Sequence, residues 1–95
     1  SYDSAFMLFP LSIMYYKKGD YRKCKKILKE IQESNEHLLN YLTGRKKLTK
    51  AKEDETELNG TYSWGSETEA YLVVKDNKYL LGTVPTFIEF IEREI

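Results

Sequence analysis

This chain is short of the residues that build covalent or metal cross-links. One cysteine in 95 residues excludes an intramolecular disulfide, and with a single histidine beside it a structural zinc site is not expected. No apolar run approaches the roughly 20 residues of a membrane span, so no membrane partner is expected. Net charge is also missing: fifteen Lys and Arg balance fifteen Asp and Glu, which removes any global attraction to nucleic acid or lipid. The first ten residues lack the positive charge of a signal peptide, and there is no initiator methionine. The start therefore reads as a mature end or an introduced boundary, and the expected location is the cytoplasm. Catalytic signatures are lacking as well. There is no glycine-rich phosphate loop, no Gly-x-Ser-x-Gly and no metal-protease helix, so an enzyme is not expected.

What is present suffices for one small domain spanning 1–95. Hydrophobic residues reach 41% and aromatics 14%, more than a disordered tail carries. The balanced charge is segregated. Residues 17–52 hold twelve Lys or Arg against four acids, while from Glu53 onward ten acids face three basic residues. Such a sequence dipole marks either a basic binding face or two parts that lie together and neutralise one another.

Residues 3–18 read as a largely buried helix capped by Asp3 or Ser4, apolar around its circumference until Lys17. Pro10 predicts a kink or a late start, because it removes an amide donor and clashes with the preceding turn. Gly19 ends this helix, and Asp20 caps a second over 20–34 whose stripe is Tyr21, Cys24, Ile27, Leu28 and Ile31. Together 3–34 form an antiparallel hairpin. A short third helix starts at Asn35 or Glu36, carries Leu38, Leu39, Tyr41 and Leu42, and stops at Gly44 before the basic segment that ends at 48. Periodicity is lost over 49–65, which reads as a variable loop. Ser66 to Glu69 has capping-box spacing and predicts a helix over 66–81. The β-rich Tyr71–Val74 and Tyr79–Leu81 segments keep a small hairpin at about 71–81 open, which would make the fold α+β. Thr83-Val84-Pro85 predicts a last helix with Phe87, Ile88, Phe90, Ile91 and Ile95 on its apolar face.

Tyr15-Tyr16-Lys17-Lys18-Gly19-Asp20-Tyr21 resembles the middle of a tetratricopeptide repeat. Cys24 stands at a small position, Leu28 at a large one and Ile31 at the second small one; Leu8, Leu11 and Ser12 match the large, large and small positions of the first helix. Pro10 and Glu36 depart from the pattern. The remainder is similar to the C-terminal end of a group of tetratricopeptide-like proteins, through Asn35, Tyr41-Leu42-Thr43-Gly44-Arg45-Lys46-Lys47-Leu48, Gly65-Ser66-Glu67-Thr68-Glu69-Ala70 and Thr83-Val84-Pro85-Thr86, with Val84 as an insertion. In that group the segment after Glu-Ala is helical, which favours the helix over 66–81. The implied fold is all-α, a tetratricopeptide-like hairpin plus C-terminal helices.

One such hairpin cannot bury both faces, and repeats usually stack at least three deep. The C-terminal helices fold back as a cap, or the domain belongs to a longer array, or it forms a homodimer; the first is expected. The resemblance implies a protein-interaction module or the C-terminal cap of a helical-repeat protein, with a peptide or protein partner and no cofactor. It places Phe6, Phe9, Ile13, Tyr16 and Lys17 on the inner groove, where aromatics and a lysine suit an apolar peptide bearing a carboxylate, or they pack as plain core. The alternative is nucleic-acid binding through the helical stripe Arg22, Lys25, Lys26 and Lys29 with Arg45, Lys46 and Lys47, although no exposed aromatic is expected among these cations to stack bases. His37 with Glu36 or Glu33 could do acid–base work but reads as a polar helix start, and Cys24 as a buried small hydrophobe. The acidic run Glu53, Asp54, Glu55 and Glu57 lacks the glycine and spacing of a calcium loop, so no metal is expected.

Overall fold

The computed structural model describes residues 3–45 and 63–94. These form six helices: α1 (Ala5–Lys17), α2 (Tyr21–Ser34), α3 (Leu38–Leu42), α4 (Glu67–Asp76), α5 (Lys78–Gly82) and α6 (Phe87–Glu94). The described residues contain no strand, so the architecture is all-α and the hairpin over 71–81 does not form. The burial pattern shows why. Ala70, Val73 and Asn77 are buried on one helical line, whereas a strand burying Tyr71 and Val73 would also bury Lys75, which is exposed.

The α1–α2 hairpin is set by local chemistry. Ser4 caps α1, its Oγ accepting the Met7 amide at 3.4 Å. Pro10 lies within α1, which starts five residues before it, so the proline does not delay the helix. At the other end Gly19 adopts φ +76°, the left-handed region in which a side chain is strained. Its amide bonds to Tyr16 O and the Asp20 amide to Tyr15 O, both at 3.0 Å, the paired bonds of a Schellman C-cap. Asp20 then caps α2 by accepting the Lys23 amide at 3.2 Å. One residue thus closes the first helix and opens the second, which leaves the chain no choice but to turn back.

Small residues let the two helices approach. Ser12 and Cys24 are fully buried at the crossing, with the Cys24 thiol donating to Ser12 O at 3.4 Å. Around them Leu8, Phe9, Ile13, Leu28 and Ile31 form the hairpin core. Tyr21 leaves the expected stripe, since half of its surface is exposed.

The C-terminal half is built onto this hairpin by a buried polar clasp. Asn35 ends α2 with 1% exposure; its Nδ2 donates to Ser66 O at 2.8 Å and to Glu69 Oε1 at 3.0 Å, and its Oδ1 accepts the His37 amide at 2.9 Å. Ser66 Oγ accepts the Glu69 amide at 3.1 Å, as the capping-box spacing implies. The glutamate does not reach back to the Ser66 amide. Its carboxylate instead takes the Gly65 amide at 3.2 Å together with Asn35, so the capping residue also locks α4 to the end of α2. Gly65 has φ +76°, and a Cβ there would stand 3.3 Å from Ser34 O, so the clasp requires glycine.

Three expected boundaries are corrected. The third helix begins at Leu38, two or three residues later than expected, because Asn35 is spent on the clasp and on the His37 amide. The helix over 66–81 is two helices broken at Asn77, whose Nδ2 turns back to Val73 O at 2.8 Å. The last helix begins at Phe87 rather than near Thr83, because the chain first makes a turn that buries Val84, with the Phe87 amide bonding Val84 O. Within α6, Phe87, Phe90 and Ile91 are buried as its spacing predicts. Residues 46–62, and with them most of the expected loop and the acidic run from Glu53, lie outside the described residues, as does Ile95.

Candidate functional site

The inner face of α1 is closed by the chain itself. Helix α6 lays Phe87 and Phe90 against α1, with ring centroids 6.3 Å apart for Phe9–Phe87, 5.0 Å for Tyr16–Phe87 and 5.1 Å for Tyr16–Phe90. Tyr16 also hydrogen-bonds through its hydroxyl to Thr86 Oγ1 at 2.5 Å, just ahead of α6. Of the five residues expected on a peptide groove, Phe9 and Ile13 are therefore core, at 0% and 2% exposure. Phe6 and Tyr16 are half-buried against that core, and Lys17 alone is exposed.

A different face of α1 stays open. Met7, Pro10, Leu11 and Met14 follow one another at helical spacings of three, one and three, so they share one side of the helix. Met7 is 66% and Met14 39% exposed, with Pro10 and Leu11 half-buried between them. None of the four is a buried member of the core cluster.

The solvent side of α2 is basic. Arg22, Lys25, Lys26 and Lys29 line a concavity of about 540 Å³ floored by Leu28 and edged by Glu94. Lys25 Nζ meets Glu94 Oε2 at 2.9 Å across the α2–α6 junction. A second concavity shares Lys25 and Glu94 and adds Tyr16, Tyr21, Phe90 and Arg93. The fold thus unites four of the seven cations expected on a basic patch and contributes Arg93 and Tyr21, which the helical stripe alone does not reveal. Arg45 is exposed after α3 and lines neither concavity; Lys46 and Lys47 lie outside the described residues.

Cys24 and His37 are the two residues whose side chains could carry reactive chemistry. Burial, reinforced by the Asp20 carboxylate, pushes the Cys24 thiol up to about 11, so at neutral pH it is neither a nucleophile nor a thiolate ligand. Native protein is expected to leave this thiol unmodified by Ellman's reagent for as long as it stays folded, and to react fully in denaturant. Rapid native reaction would show that the hairpin opens locally. His37 sits at the start of α3, with Nε2 3.6 Å from Glu36 and Nδ1 3.9 Å from Glu67. The second of these carboxylates comes from α4, a neighbour that the local sequence around His37 does not announce. Glu67 also faces Tyr41, whose phenol is pushed up to about 12 by burial first and by that carboxylate second. Among the described residues no group of three or more His, Cys, Asp or Glu is arranged to hold a metal ion, and no helix is long and apolar enough to cross a membrane.

No family model, curated protein or solved structure matches this chain.

Proposed function

We propose that this domain is the closing cap of a tetratricopeptide-like helical-repeat stack in the cytoplasm. The observation that carries the reading is the contrast between two sides of α1, one covered and one exposed. The inner side is closed: Phe87 of α6 faces Phe9, α4 and α5 also pack on α1, and Phe9 and Ile13 are buried, which leaves no room for a peptide against them. The outer side presents the apolar stripe Met7, Pro10, Leu11 and Met14 to solvent. Repeat proteins bury such stripes against the neighbouring helical pair and end in a unit whose far side is satisfied internally. The partner this reading requires is therefore another helical hairpin laid along α1, rather than an extended peptide in the groove. The interaction is apolar, and burying the two methionines and Leu11 is worth about 2–4 kcal/mol.

The test is thermodynamic coupling. Two idealised helical hairpins of roughly 34 residues each, fused ahead of Ser1, are expected to raise the melting temperature of this domain by roughly 5–15 °C. The double variant Met7→Glu/Met14→Glu should cancel that gain while moving the unfused chain by no more than about 2 °C, because both side chains are exposed there. If fused and unfused chains melt alike, α1 does not accept a stacked neighbour and the cap reading is wrong.

A further inference from the structure

We propose that the junction of α2 and α6 binds single-stranded nucleic acid, with Tyr21 as a stacking platform and Arg22, Lys25, Lys26, Lys29 and Arg93 as phosphate contacts. The proposal does not depend on the stacking reading, since none of these residues belongs to the Met7–Met14 stripe.

The cations come first. Residues 22, 26 and 29 fall at spacings of four and three, and Lys25 stands four residues before Lys29, so the charges form one ridge along α2. A phosphate chain needs such a row of positive points and little further geometry. The ridge borders an open concavity, and Arg93 extends the positive charge onto α6.

The aromatic ring comes second, and it separates the partner classes. Tyr21 is 50% exposed, and its covered side rests on Tyr16 and Phe90 at centroid distances of 5.6 and 5.4 Å. It is therefore a fixed ring with a free surface, beside Lys25 and Arg93 in the same concavity. A fixed ring next to backbone-neutralising cations is the combination single-stranded ligands use, because every base has a face to stack. An acidic helix would use the cations and gain little from the ring. A bilayer would call for aliphatic side chains that can insert, yet Leu28 is buried in the one concavity and Phe90 in the other.

The acids at this face do not block it. Glu94 pairs with Lys25, but that lysine is about half exposed, and pairs of this kind contribute little in water. An incoming phosphate replaces one carboxylate on Lys25 and gains Arg22, Lys26 and Lys29, which form no ion pair among the described residues. Glu30 lies beside Lys26 on the other flank, in a separate depression that also holds Tyr15 and Lys23.

The experiment is fluorescence anisotropy of the full chain with a labelled 12-nucleotide oligouridylate at 50 mM salt, repeated up to 300 mM. Affinity is expected to fall with salt at a log–log slope of about −0.7 per phosphate neutralised, or roughly −3 for the whole ridge. Lys26→Glu/Lys29→Glu should weaken binding at least about tenfold and flatten that slope, by removing two contacts. Tyr21→Ala should weaken it by about tenfold at unchanged slope, while Tyr21→Phe, which keeps the ring and its packing, should bind as the parent does. Circular dichroism of each variant verifies that the helices persist. Three results would each overturn the proposal: no binding at 50 mM salt, equal affinity for the parent and Tyr21→Ala, or polyglutamate competing as well as unlabelled oligouridylate. The last two would mark a general polyanion face suited to an acidic protein.

Discussion

Phe87→Ala is expected to be among the most damaging single substitutions in this domain. The ring is fully buried, faces Phe9 and Tyr16, and anchors a helix of only eight residues. Truncating a buried phenylalanine costs about 3–5 kcal/mol through lost transfer energy and the cavity left behind. For a domain of this size, each kcal/mol lowers the melting temperature by about 4–8 °C, so a loss of well over about 10 °C follows. Such a loss is a large share of the roughly 5–15 kcal/mol that stabilises an ordinary domain. A helix this short does not persist without its packed face, so α6 should detach and expose Phe9, Ile13 and Tyr16. Thermal unfolding by circular dichroism gives the first number, and increased binding of a hydrophobic dye at 10 °C reports the uncovered groove. Thr86→Ala provides the contrast. It removes one hydroxyl partner of Tyr16 near solvent and should cost about 1 kcal/mol. If the two variants melt alike, α6 is not held by its aromatic contacts.

The second large effect is expected at Asn35. Its side chain makes three hydrogen bonds: two tie the end of α2 to the start of α4, one of these to the buried Glu69 carboxyl group, and the third accepts the His37 amide. Alanine would remove all three bonds, although Ser66 O keeps the Ala70 amide and Glu69 Oε1 keeps the Gly65 amide. Three hydrogen bonds, one of them to a carboxyl group, are together worth about 2–4 kcal/mol, and that is the expected loss. Asn35→Asp should be worse than alanine at neutral pH, because it sets a second carboxylate against the first in a buried site. The sign of its pH dependence follows. The folded variant holds a proton between two acids more tightly than the unfolded chain does, so stability should recover as pH falls through the carboxyl range. Urea denaturation of the parent and both variants at pH 7 and pH 4 measures this. If Asn35→Asp were the more stable at pH 7, Asn35 would not be donating to Glu69 and the clasp would be wrongly described.

How much of this was legible in the sequence depended on how far apart the interacting residues lie. The α1–α2 hairpin could be read almost completely, because Gly19, Asp20 and the spacing of Cys24, Leu28 and Ile31 act within a few residues of one another. The capping serine of α4 was legible for the same reason. The capping-box spacing implies that Glu69 reaches back to the Ser66 amide, but its carboxyl group turns to Gly65 and to Asn35, the latter a contact across 34 residues that no local pattern announces. The break at Asn77 was missed because its amide competes with the helix only through a back-bond to Val73, and a polar residue between two apolar segments does not reveal that choice. The candidate sites divide in the same way. The ridge from Arg22 to Lys29 follows from helical spacing. The docking of α6 does not, and that docking buries Phe9, brings Arg93 to Lys25 and leaves Tyr21 half in solvent. The aromatic that seemed absent from the basic face was Tyr21, which its helical spacing alone assigned to the core.

The claim that organises all of this is that α1 is finished on its inner side and open on its outer side. Peroxide footprinting of the fused chain described above, read by mass spectrometry at Met7 and Met14, tests it most directly. Both thioethers are exposed in the domain alone and should oxidise readily there. With a helical pair fused ahead of Ser1, both are predicted to oxidise several-fold more slowly, as a neighbour covers the stripe. Equal oxidation rates with and without the fused hairpins would contradict the account.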